Sequence, residues 1–74
     1  MNTELLKNAT HIATLNNPES VVEIYLDQQA SRVIEVKSLS NNRYKTYRFE
    51  IAAYLDRVIG YKGVDIKLKA HLNR

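Results

Sequence analysis

Three runs between Val21 and Phe49 constrain this chain more than any other stretch, because they can be laid side by side as an antiparallel meander with sensible chemistry on both faces. The tighter turn is Ser40-Asn41-Asn42-Arg43, since Asn tolerates the positive φ that two-residue hairpin loops demand. With Asn41 and Asn42 as the loop, Ile34 faces Phe49, Glu35 faces Arg48, Val36 faces Tyr47 and Lys37 faces Thr46. The first hairpin closes through Gln28 to Arg32, with Leu26 opposite Ile34, Ile24 opposite Val36 and Glu23 opposite Lys37. Slipping it by two residues sets Glu23 against Glu35, a like-charge pair that costs stability. Slipping it by one turns the apolar set to the other face.

This register predicts strands at 21–27, 33–39 and 43–49. Val22, Ile24, Leu26, Ile34, Val36, Tyr47 and Phe49 point inward, and Glu23, Tyr25, Glu35, Lys37, Tyr44 and Arg48 point outward. Tyr47, Ile51, Leu55 and Val58 also stand at helical spacing, so a helix starting near Thr46 competes. The cross-strand pairing favours the strand.

Around this meander the spacing of Leu5, Leu6, Ala9, Ile12 and Ala13 predicts a helix over 3–15, capped by Asn2 or Thr3 and ended by Asn16-Asn17-Pro18. A second helix is expected over 50–59, with Ile51, Leu55, Val58 and Ile59 as its stripe and Gly60 as its stop. After the turn Gly60-Tyr61-Lys62-Gly63, the residues Val64, Ile66, Leu68, Ala70 and Leu72 alternate with Asp65, Lys67, Lys69 and His71. That period of two predicts a strand over 64–72, joined by a right-handed crossover and parallel to the first or third strand. The expected fold is therefore α+β, in the order α-β-β-β-α-β, as one small two-layer domain over residues 1–74.

A chain of 74 residues buries only about 60% of its unfolded surface, which leaves a thin core and little room for a deep cleft. Zero cysteines remove disulfides, thiol chemistry and the usual structural zinc sites. Small domains commonly lean on those supports, so a partner or a homodimer through an open strand edge becomes more attractive. No run approaches the roughly 20 apolar residues of a membrane span, and no signal-peptide pattern opens the chain, so a cytoplasmic location away from membranes is expected.

The chemistry-bearing residues do not assemble into a catalytic or cofactor motif. His11 and His71 have no clustered ligands in sequence, the serines sit in no nucleophile elbow, and the glycines make no phosphate loop. Glu23 and Glu35 are taken up by cross-strand pairs. Neither an enzyme, a metal site nor a cofactor is expected.

Charge is what remains. Residues 1–31 hold one Lys and four acids, net −3, while 32–74 hold ten Lys or Arg and four acids, net +6. Basic residues alternate with aromatics in Arg43-Tyr44-Lys45-Thr46-Tyr47-Arg48, preceded by Lys37 and followed at a distance by Lys62, Lys67, Lys69 and Arg74. Such a surface is either a solvated face or a contact for an acidic protein or nucleic acid. The expected contact set is Lys37, Arg43, Tyr44, Lys45 and Arg48, extended by Lys67 and Lys69. A protein or a protein–nucleic-acid complex is the expected partner, with a small DNA- or RNA-binding regulator as the alternative.

Three strands followed by a helix carrying Ala52-Ala53 and Asp56-Arg57 resemble the sheet-reading DNA-binding domains of plant ethylene-response factors and phage integrase arms over about thirty residues, without their characteristic tryptophans and glycines. In size and organisation the chain is also similar to phage-encoded inhibitors of host defence, including anti-CRISPR proteins. That second resemblance implies a stoichiometric inhibitor of a nucleic-acid-handling machine.

Overall fold

A computed structural model of the chain describes residues 6–39, 42–58 and 63–72. Its elements are β1 (Thr10–Asn16), β2 (Ser20–Asp27), β3 (Arg32–Leu39), β4 (Tyr44–Glu50), α1 (Ile51–Arg57) and α2 (Val64–Leu72). The strands form one antiparallel sheet in the order β1-β2-β3-β4, and both helices follow it. The expected α-β-β-β-α-β order is thus replaced by β-β-β-β-α-α, and the meander has four strands rather than three.

The first correction lies at the N-terminal end. Residues 10–16, expected inside a helix over 3–15, are the edge strand β1, and the proposed caps Asn2 and Thr3 lie outside the described residues. The misleading signal was the adjacent pair Ile12-Ala13, which breaks a period of two. A β-bulge explains it: pairing runs Thr10 with Leu26 and His11 with Tyr25, then resumes with Ala13 opposite Ile24. The extra residue lets Ile12 and Ala13 both be buried. Asn17-Pro18-Glu19-Ser20, instead of ending a helix, closes the β1–β2 hairpin with Asn17 and Ser20 bonded to each other at 2.9 and 3.4 Å. Proline suits the second position of such a turn because its ring presets φ.

The second correction concerns β3 alone. Leu26 pairs with Val33, Ile24 with Glu35 and Val22 with Lys37, while on the other side Val33 pairs with Phe49, Glu35 with Tyr47 and Lys37 with Lys45. Relative to the expected register, β3 is shifted by one residue against both neighbours, so its faces are exchanged. Its turns cause the shift. The β2–β3 turn spans Gln28 to Ser31, held by Ala30 N–H on Asp27 Oδ1 at 3.1 Å and by Ser31 at φ 54°. The β3–β4 turn closes between Leu39 and Arg43, with Asn42 at φ 62°, so three residues intervene rather than two. Of those, Ser40 and Asn41 lie outside the described residues.

With β3 reversed, Val33 joins the core on the helix side while Ile34 and Val36 are buried on the opposite face. A strand buried on both faces reads as a nearly continuous apolar run, and Val33-Ile34-Glu35-Val36 is that run interrupted once. The ion pairs expected for the other register, Glu23 with Lys37 and Glu35 with Arg48, do not form, each being worth only about 0.2–1 kcal/mol against the larger return from burying aliphatic side chains.

The third correction is α2, where a strand was expected. Val64 and Leu68 are buried, Leu72 packs beside them, and Ile66 stands 69% exposed. Residues 64, 68 and 72 satisfy a period of two and, at spacing four, one face of a helix. Gly63, at φ 74°, precedes the helix, and its carbonyl accepts Lys67 N–H at 3.0 Å. The helix expected over 50–59 is present as the shorter α1, with Tyr54 rather than Leu55 wholly buried on its inner side and Val58, its C-cap, wholly buried after it. Ile59 to Lys62, including the expected stop at Gly60, lie outside the described residues.

Candidate binding groove

Helices of seven and nine residues are about 10 and 13 Å long, whereas an eight-residue strand spans roughly 26 Å. Both cannot cover one sheet face to its end. They pack over Ala13, Ile24, Leu26 and Val33, and the rest of that face is left as an open groove of about 890 Å³. Leu15 and Val22 supply its apolar floor, Asn16 and Asn17 one wall, and Glu35, Lys37, Tyr47 and Arg57 the other.

Each polar group has a structural reason for its position. Glu35 faces the helices because of the β3 register and is 5% exposed, its Oε2 accepting the Tyr54 hydroxyl at 2.5 Å. Tyr54 projects from α1 onto it. Arg57, one turn further along α1, lies with its guanidinium carbon 5.0 Å from the centre of the Phe49 ring, a cation–π contact. Lys45 stands directly across from Lys37 on the same sheet face. Among the described residues the only ion pair is His11 with Glu23, so neither lysine nor Arg57 forms a direct ion pair with a described carboxylate.

The expected contact residues are divided by this geometry. Lys37 and Lys45 lie on the groove side; Tyr44, opposite Ser38, and Arg48, opposite Ile34, lie on the other side of the sheet. Arg43 sits at the β3–β4 turn, where Leu39 N–H reaches its carbonyl at 2.8 Å. Lys67 and Lys69 are exposed on α2. The expectation that Lys37, Tyr44 and Arg48 share one outer face is therefore corrected, because β3 is reversed. Lys62 and Arg74 lie outside the described residues. Sequence reasoning missed Glu35, Tyr47 and Arg57 as groove residues; the unbroken apolar flanks of Glu35 were the available signal.

On the opposite face a second polar cluster forms. His11 Nε2 lies 2.5 Å from Glu23 Oε2 and 3.0 Å from Thr14 Oγ1, and Thr14 donates to Glu23 Oε2 at 2.9 Å. The composition invites comparison with a hydroxyl–imidazole–carboxylate relay, but a relay needs the hydroxyl and the carboxylate on different ring nitrogens. Here both meet Nε2. The cluster ties β1 to β2 across the bulge, and the His11 ring packs edge-on against Tyr25 at 5.3 Å. His71 is occupied elsewhere, its Nδ1 2.9 Å from the Lys67 carbonyl, while Gln28 donates to the His71 carbonyl at 3.2 Å. No group of three His, Cys, Asp or Glu side chains with metal-holding geometry occurs among the described residues.

No protein-family model, curated protein or solved structure matches the chain. The resemblances to sheet-reading DNA-binding domains and to phage inhibitors thus gain no support from comparison. No helix among the described residues is long and apolar enough to cross a membrane.

Proposed function

We propose that this chain is a non-enzymatic, cytoplasmic binding protein that acts by occupying an anionic surface of a macromolecular partner, in the manner of a phage- or mobile-element-encoded inhibitor of a host nucleic-acid-handling machine. One observation carries the reading: Lys37 and Lys45 are cross-strand neighbours with no described carboxylate between them. Like charges directly opposite are destabilising, and an anionic ligand removes that cost. The sign of the charge also limits the mode of inhibition. A basic chain is repelled by the basic channel in which such a machine holds its nucleic acid, and is drawn to acidic protein surface or to the nucleic acid itself.

The contact set in this reading is Lys37 and Arg57 lining the groove, Lys45 across from Lys37 on the same sheet face, and Arg43 at the adjoining turn; Tyr44, Arg48, Lys67 and Lys69 form outlying surface. Affinity capture from host extract, with and without nuclease, tests it. The wild-type chain should retain a partner, and the double reversal Arg43→Glu with Lys45→Glu should lose it. Retention by the reversed variant would sink the proposal. A small DNA- or RNA-binding regulator is the second reading, favoured by the aromatic ring of Tyr47 among these cations.

A further inference from the structure

We infer that the groove takes single-stranded nucleic acid, one unpaired base lying against Tyr47 with its edge toward Glu35, and neighbouring phosphates on Lys37, Lys45 and Arg57. This rests on the anionic-partner reading and names the partner's chemistry. The cations alone accept any polyanion; the rest of the groove is more selective.

Glu35 is the discriminating group. An acidic protein segment would bring further carboxylates toward a carboxylate that is already 5% exposed, a like-charge contact in a poorly solvated place. A nucleobase brings amino and imino N–H donors instead, which a carboxylate accepts. Those donors are free on an unpaired base and engaged in a duplex, so the groove suits a single strand. Tyr47, 40% exposed in the same wall, offers a flat face on which any base can stack. Asn16 and Asn17 place further donors and acceptors across from it. A volume of about 890 Å³ lies within the range of about 300–1,000 Å³ that ligand sites occupy.

Fluorescence anisotropy with the full chain and end-labelled DNA and RNA strands of about 12 nucleotides, against the duplex of the same sequence at low salt, tests this. Single strands should bind at least about tenfold more tightly than the duplex and be recovered intact. Tyr47→Leu should weaken binding by about fivefold to 100-fold with the salt slope unchanged, while Tyr47→Trp retains it. Lys45→Glu should flatten the log–log salt slope by about 0.7 for each phosphate lost. Equal or tighter duplex binding, an indifferent Tyr47→Leu variant in a chain of unchanged circular dichroism, or cleavage of the strand would overturn the inference. If the strands fail to bind while nuclease-treated capture still depends on Arg43 and Lys45, this inference falls and the anionic-partner reading survives; if capture fails as well, both fall.

Discussion

Tyr54 and Glu35 form a buried polar contact that joins α1 to the sheet, Tyr54 being wholly buried and Glu35 nearly so at the groove wall. Removing one partner of such a contact costs more than removing both, because the survivor stays desolvated without its bond. Tyr54→Phe should therefore destabilise the chain by roughly 1–3 kcal/mol. Adding Glu35→Leu to that variant should recover most of the loss, as an apolar pair replaces a stranded carboxylate. Urea unfolding of the two single variants and the double variant measures this cycle, with the slope m checked for constancy. A neutral Tyr54→Phe would mean that Glu35 finds water in the groove and that the contact contributes little. At this scale the sequence was least legible: Glu35 reads as an ordinary outward strand carboxylate until the register of β3 is known, and nothing local to Glu35 announces Tyr54, nineteen residues away.

The segment 64–72 shows how two periodicities can coexist in one string, and its variants separate them. In a strand, Ile66 and Leu68 would lie on the same face and cost alike when changed; in α2, Leu68 is wholly buried and Ile66 is 69% exposed. Leu68→Ala should cost about 2–5 kcal/mol, whereas Ile66→Lys should fall within about 0.5 kcal/mol of the parent. Thermal and urea unfolding read both, and equal losses would refute the helix. Strands were legible at 21–27 and 33–39 from their β-branched runs, at 43–49 from the asparagine turn and cross-strand pairing, and a helix over 50–59 from its apolar spacing. What was not legible follows from three local devices. A bulge at Ile12 disguised β1 as a helix, spacing four inside spacing two disguised α2 as a strand, and single-residue changes in two turns reversed β3. The groove inherits the last of these: with the expected register, Glu35 and Lys37 would both have faced away from α1.

Over the whole molecule, positive charge gathers in the C-terminal part of the chain, net +6 over 32–74 against −3 over 1–31, yet the described cations are not spent on internal ion pairs. A fold selected for stability alone would place an acid opposite Lys37, as the β3–β4 ladder readily permits. Lys45→Glu makes that exchange with one substitution at an exposed position. It should raise unfolding stability by about 0.2–1 kcal/mol, since a like-charge cross-strand pair becomes an opposite-charge one. The same substitution removes a cation from the groove's side of the sheet, so retention of the captured partner should drop. Stability and binding then move in opposite directions, and raising the salt concentration should shrink both effects because each depends on exposed charge. Paired urea titrations and capture experiments at low and high salt measure the two quantities on one variant. A Lys45→Glu chain that gained stability while binding its partner unchanged would show that the Lys37–Lys45 juxtaposition has no part in recognition.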